Sequence, residues 1–178
     1  MTTNEIIAQI VGGVLIIICI IIPQLERRKH MILLGFFGNV LWTLQFFIIG
    51  GAVAGGVTGI ISTARSVVFY SFAGKNKKIP IWILFLFIGA QITGVILTWN
   101  SWFCVLLLVS AFNIYGQWQE NENVLRIMMA IATMSYGTYC ILNGLYTGAL
   151  NEFLQTGSCI VALWRYKKGE TIVSNNQC

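Results

Sequence analysis

Long apolar runs separated by short polar or glycine-containing turns dominate the pattern of this chain. Seven runs approach or reach the ~20 residues that a helix needs to cross a bilayer, and none shows the alternating pattern of barrel strands. These runs, numbered here as spans 1 to 7, cover residues 6–23, 31–49, 54–72, 80–98, 102–117, 125–143 and 147–165. Because the turns are short, consecutive spans are neighbours. The pattern predicts an all-α membrane protein with seven helices.

Composition supports this class. Hydrophobic residues make up 57% of the chain and charged residues 10%, with a mean hydropathy of +0.77. The two prolines, Pro23 and Pro80, stand at the ends of runs, where a helix tolerates them. The cysteines lack metal-site spacing, so we expect them to fill small apolar spaces and expect neither a metal ion nor another cofactor.

Basic residues predict the orientation. With seven spans, ten of the eleven Lys and Arg residues fall on one side of the membrane: Arg27, Arg28, Lys29, Lys75, Lys77, Lys78, Arg126, Arg165, Lys167 and Lys168. The positive-inside rule then places the N-terminus outside and the C-terminus in the cytoplasm. These basic residues are scattered between apolar runs and do not form the continuous patch that binds a nucleic acid. The predicted partner is therefore the lipid bilayer.

The eleventh basic residue, Arg65, lies inside span 3, where burial in hydrocarbon costs about 2.5 to 3.5 kcal/mol on insertion scales. Helical spacing puts it on one face with Thr58, Ser62 and Ser66. The corresponding face of span 7 carries Asn151, Gln155, Ser158 and Cys159. We expect both polar stripes to face one central cavity; the alternative is that their hydroxyls bond to their own helices and only pack the bundle.

The two stripes belong to an internal repeat. Residues 23–75 align with 116–168 at an offset of 93, which places Pro23-Gln24 on Gly116-Gln117. Spans 1–3 and 5–7 then form two parallel triple-helix bundles joined by span 4, a three-plus-one-plus-three plan that known transporters use. The predicted division is a first repeat at 1–75, a linker helix at 76–100, a second repeat at 101–168 and a cytoplasmic tail at 169–178.

An acidic partner for Arg65 is available in span 7. Glu152 aligns with Gly59, which places it about 9 Å outward of Arg65 at 1.5 Å per helical residue. We expect a direct or water-linked ion pair that serves as a gate or as a substrate-binding couple. Two alternatives remain open: a purely structural pair, or two side chains that each reach toward their own membrane surface.

Several other residues are candidates for packing, bending or lining. Gly51, Gly55 and Gly59 form a small-residue stripe that allows span 1 or 2 to approach span 3 closely. Pro23, with Gln24, is a candidate hinge at the end of span 1, or a plain helix terminator. The remaining candidates for the cavity wall are Trp42 and Asn113, with Asn39, Gln45 and Tyr115 as secondary ones.

A resemblance to known families agrees with this plan. The string IPQLERRKHMILLGFFGNVLW resembles the PQ-loop and SWEET superfamily. GAVAGGVTGIISTARSVVFY and GLYTGALNEFLQTGSCIVALWRY look more closely like the YgjV-type bacterial inner membrane proteins of that superfamily, in which an arginine of helix 3 and a glutamate of helix 7 match Arg65 and Glu152. The resemblance implies a bacterial inner membrane location, and SWEET relatives move sugars by alternating access.

The chain also departs from that pattern. Gly116 replaces the second proline, and the repeat mates of Trp42 and Asn151 are Ser135 and Thr58 instead of the paired aromatic and asparagine residues of SWEET pockets. The resemblance therefore does not imply a sugar as the substrate.

These features predict a transporter of a small polar solute, a sugar or an organic anion, with Arg65 favouring a carboxylate, a phosphate or many hydroxyls. No Ser/His/Asp set, phosphate loop or HExxH motif is present, so we expect no enzyme. A homo-oligomer is possible. The alternative function is a non-transporting scaffold or sensor with a closed intramembrane polar network.

Overall fold

The computed structural model describes residues 3–49, 53–75, 78–99, 102–143 and 146–175, and these are helical with no strand. The helices are α1 Thr3–Ile21, α2 Arg28–Ile49, α3 Val53–Gly74, α4 Ile81–Leu97, α5 Val105–Leu108, α6 Ala111–Trp118, α7 Glu122–Leu142 and α8 Tyr146–Asn175. A 3₁₀ turn at Ile22–Gln24 follows α1, and another at Trp102–Cys104 precedes α5. The predicted all-α class is confirmed.

Span 5 differs from the single continuous helix that the apolar run predicts, because it breaks between α5 and α6. At the break, the backbone N–H of Ser110 donates to the carbonyl of Leu107, three residues back, and its hydroxyl donates to the same carbonyl. Gln91 of α4 also donates its amide to this hydroxyl at 2.8 Å. A side chain that competes for helix carbonyls, anchored from a neighbouring helix, explains the tightened turn.

The last helix is longer than predicted. Span 7 was expected to end at residue 165, with a tail at 169–178, but α8 continues to Asn175. The apolar run ends where polar residues begin, whereas a helix needs only continuous backbone hydrogen bonds and no proline. Part of the predicted tail is therefore an extension of α8.

The helices pack in a defined order. Helices α1 and α3 both pack on α2, and α6 and α8 both pack on α7. Helix α4 lies against α3, α5 and α6, and contacts between α1 and α8 connect the first group of helices to the second. A core cluster that includes Leu15, Trp42, Val95, Leu107 and Tyr139 draws side chains from both groups and from α4.

Two close approaches depend on glycine. A Cβ atom at Gly59 would collide with the hydroxyl of Thr43 in α2, and one at Gly116 would lie 2.7 Å from the Cβ atom of Met128 in α7. The first confirms that the small-residue stripe packs against span 2; Gly51 lies outside the described residues. The second explains why glycine, and not proline, occupies the second repeat position.

Apolar surface is extensive on the outside of the bundle. Large apolar side chains such as Trp82, Phe85 and Leu97 on α4 are exposed. Among the described segments, Arg28–Ile48 and Glu122–Leu142 are both long and apolar enough to cross a membrane, and three apolar helices are shorter. Exposed apolar surface of this extent is typical of a protein covered by another apolar phase.

Substituting Gly59 tests the α2–α3 contact. Alanine there should lower the thermal midpoint of the detergent-purified protein by a few degrees, because overpacking costs about 1 to 3 kcal/mol and exceeds the ~1 kcal/mol gain in helix propensity. Gly89→Ala is the matched control, since a Cβ atom at Gly89 meets nothing within 4 Å. Gel filtration after stepwise heating measures both variants, and equal midpoints would contradict the close approach.

Candidate functional site

A cavity of about 80 Å³ lies among the helices. Its wall draws on α1, α2, α3, α6, α7 and α8, and on Ser110 between α5 and α6, whereas α4 contributes no residue to it. The polar lining residues are Asn39, Ser62, Arg65, Ser110, Asn113, Gln117, Thr133, Tyr136, Asn151, Glu152 and Gln155. A polar space of this size accommodates several water molecules or one small solute.

Arg65 is the most deeply buried cation of this wall, with 2% of its surface exposed. Its Nε donates to Oε1 of Gln117 at 3.1 Å. A guanidinium carries five N–H donors, and within the described parts of the chain the other four have no hydrogen-bond partner. Arg65 therefore offers most of its donors to whatever occupies the cavity.

Glu152 lines the same cavity near the start of α8 and is 7% exposed. Its carboxylate makes no hydrogen bond or ion pair with any described residue. The direct pair with Arg65 is thus not formed in this structure, where Arg65 instead donates to Gln117. A water-linked pair across the cavity stays a prediction.

Two glutamine contacts lie at the end of the bundle where Arg28, Arg126 and Arg165 are found, which we call the basic end. Gln24 donates its amide to the hydroxyl and carbonyl oxygens of Ser158, both at 2.9 Å. Gln117 accepts from Arg65. Gln117 follows Gln24 by 93 residues and Ser158 follows Arg65 by 93, so each contact corresponds to the other under the repeat offset.

Arginines complete the basic end. Arg126, which the sequence analysis counted among the basic residues of one membrane side, is 2% exposed and donates to the carbonyls of Pro23 at 3.0 Å and Leu25 at 2.8 Å. Arg28 donates to the carbonyl of Gln117 at the end of α6. The last carbonyls of a helix lack intrahelical hydrogen-bond donors, and arginine side chains provide donors to such carbonyls here. A residue counted as a topology signal is therefore part of the packing between helices.

The opposite end of the cavity is aromatic. The rings of Trp42 and Tyr136 lie 6.5 Å apart edge to face, and the Tyr136 hydroxyl shares a hydrogen bond with Thr58. Trp42 packs against Gly148, where an added Cβ atom would lie 3.1 Å from the indole ring. Phe46 packs edge to face on Trp42. Apolar and aromatic packing dominates this end, in contrast to the hydrogen bonds of the basic end.

The structure divides the predicted site residues into two groups. Those that line the cavity are Trp42, Ser62, Arg65, Asn113, Asn151, Glu152 and Gln155. The hydroxyls of the others bond to helix carbonyls: Thr58 donates to Gly55 and Ser66 to Ser62, both within α3, and Ser158 donates to Ile20 of α1. The packing alternative therefore applies to part of each stripe, and the cavity interpretation to the rest.

The hinge and secondary candidates also differ in their surroundings. Pro23 is buried in the 3₁₀ turn after α1, where its carbonyl accepts from Arg126. Asn39 lines the cavity, whereas Gln45 lies beside Gly12 and Tyr115 is exposed against Trp118.

Sequence reasoning missed four polar members of the wall, which are Ser110, Gln117, Thr133 and Tyr136. Gln117 was visible only as the repeat mate of Gln24, although that alignment was a usable signal for a shared role. Tyr136 stands in an apolar run, where an aromatic residue gives no sign that its hydroxyl meets Thr58.

Two amide oxygens at the cavity complete its chemistry. Oδ1 of Asn113 and Oδ1 of Asn151 are buried without a hydrogen-bond partner. Buried polar atoms are normally paired, so both are available as acceptors.

Comparison with known proteins gives the family of the chain. No curated protein and no solved structure is similar enough to the chain to count as a match. The model of the Imp-YgjV family, described as a bacterial inner membrane protein, matches residues 6–170. The chain belongs to the Imp-YgjV family of bacterial inner membrane proteins.

Proposed function

We propose that this protein is a multi-pass transporter that carries a small polar solute across the bacterial inner membrane by alternating access, and that it is not an enzyme. The observation that carries the proposal is the buried polar cavity with Arg65 in its wall. An intramembrane ionisable residue is costly and is usually retained for a functional role. A cation whose donors face a cavity, instead of a permanent partner, fits a solute-binding role.

The three-plus-one-plus-three arrangement belongs to this proposal. It is supported by the two glutamine contacts, which obey the same 93-residue offset. It is further supported by α4, which contributes nothing to the cavity wall, as a linker helix would. Parallel repeats with a site at their interface are an established transporter plan, and placement in the PQ-loop and SWEET superfamily would follow from it. The repeat and linker boundaries at 1–75, 76–100 and 101–168 remain part of the prediction.

Orientation follows from charge. The basic end is the cytoplasmic end if the positive-inside rule holds, which places the N-terminus outside. Its hydrogen bonds are individually worth about 0.5 to 1.5 kcal/mol, or 1.5 to 3 when a charged group takes part, so water can replace them at modest cost. The basic end is therefore the end that opens when the bundles rock, and the turn at Pro23 and Gln24 is the proposed hinge.

A second candidate function has its own support. The hydroxyls of Thr58, Ser66 and Ser158 are all taken up by helix carbonyls, and the cavity is small in this conformation. These features favour a scaffold or sensor with a closed polar network. The N–H donors of Arg65 that have no partner among the described residues favour transport over a scaffold or sensor.

Transport is tested with purified protein in vesicles, offered labelled sugars, amino acids and organic anions. At least one solute should enter faster than into protein-free vesicles, and Arg65→Gln should reduce that uptake by 10-fold or more. Arg27→Gln is the matched control, because Arg27 is exposed. Absence of uptake for every solute, with a dry centre in an experimental structure, would favour the scaffold.

The basic end is tested by cysteine accessibility. Cys19 lines the cavity and is retained while the other four cysteines are replaced by serine or alanine. A membrane-impermeant thiol reagent on the cytoplasmic side should then label Cys19 at least 10-fold faster in Gln24→Leu/Gln117→Leu, because loss of both contacts favours opening by more than about 1.4 kcal/mol.

The control for this labelling is Ser71→Ala, since Ser71 is exposed and its hydroxyl donates within its own helix. Unchanged labelling of Cys19 in the double variant would show that the glutamine contacts do not close the basic end.

A further inference from the structure

The cavity is lined by two ionisable side chains of opposite type that form no ion pair with each other. The guanidinium of Arg65 and the carboxylate of Glu152 both line it, at 2% and 7% exposure, without forming an ion pair. A buried charge without an opposite partner is unfavourable, because it has lost its hydration. Each charged group therefore gains from an opposite charge brought into the cavity.

The pair of charges discriminates between classes of solute. A simple anion gains from Arg65 but meets repulsion from Glu152, and a simple cation meets the reverse. In a medium of low dielectric constant both terms are stronger than in water. A solute that carries one charge of each sign is attracted by both Arg65 and Glu152, and its binding leaves neither charge without a partner.

Neutral groups beside each charge match this polarity. Near Arg65 the wall contains the hydroxyl of Ser62, which has no hydrogen-bond partner among the described residues and is free to donate to a carboxylate. Next to Glu152, the unpaired Oδ1 of Asn151 is an acceptor for an ammonium group. Ser62 thus adds a donor beside Arg65, and Asn151 adds an acceptor beside Glu152.

Resting on the proposed transport function, we infer that the cavity binds a small zwitterion, an α-amino acid with a small side chain or none. Its carboxylate pairs with Arg65 toward the basic end, and its ammonium pairs with Glu152 toward the aromatic end. The cavity volume of about 80 Å³ restricts the bound form to compact solutes of this class. The carboxylate also competes with Gln117 for Arg65, which links binding to one of the two glutamine contacts.

The test measures binding of four probes to the purified protein in lipid nanodiscs by calorimetry. Glycine carries both charges, acetate only the negative one, methylammonium only the positive one, and glycerol neither. Glycine should bind at least 10-fold more tightly than each of the other three. The comparison uses the unmodified protein, so it does not depend on whether any variant folds.

Charge-neutral variants assign the two ends. Glu152→Gln should weaken glycine binding and strengthen acetate binding, and Arg65→Gln should weaken glycine binding and strengthen methylammonium binding. The two variants should therefore prefer probes of opposite charge. Arg65 and Glu152 would not produce this difference if they only stabilised the fold. Ser71→Ala is the control and should leave all four affinities unchanged.

Other outcomes separate this inference from the proposed function. If acetate or glycerol binds as tightly as glycine, or if vesicles take up only anions or sugars, the inference of a zwitterionic solute is wrong. The proposed transport function is not contradicted by either result. If no solute is bound or taken up, both fail.

Discussion

The burial of Arg65 is the constraint on which the rest of the arrangement depends. A guanidinium that is 2% exposed in an apolar helix requires polar neighbours, and among the described residues Gln117 of α6 supplies its direct side-chain bond. That bond links α3 of one helix group to α6 of the other, and the remaining donors require a polar space beside it. The wall of Asn39, Ser62 and Asn113 provides that space.

The same logic explains the contrast between the two ends of the cavity. Gln24 donates to Ser158 and Gln117 accepts from Arg65 at positions related by the repeat offset, so hydrogen bonds hold the basic end. Packing of Trp42 and Tyr136 holds the other. A carrier needs ends that open independently, and two ends built from different interactions respond differently to a charged solute and to water.

Apolar periodicity was enough to predict most of the helices, a close approach of span 1 or 2 at Gly59 and the presence of Arg65 on a polar face, because each follows from span length or helical spacing. The break at Ser110 and the burial of Arg126 were not predictable in this way. Both depend on groups distant along the chain, Gln91 in one case and the Pro23 carbonyl in the other. Spacing along one helix likewise showed which polar residues share a face, but not which neighbouring helix would satisfy them.

Alternating access is the central claim, and distances between spin labels test it most directly. One pair of labels at His30 and Ile127 reports on the basic end, and a second pair at Phe47 and Ile141 reports on the aromatic end, all at exposed positions of α2 and α7. Double electron–electron resonance in nanodiscs should show the two distances changing in opposite directions when a transported solute is added. Distances that stay fixed, or that lengthen together, would contradict the account.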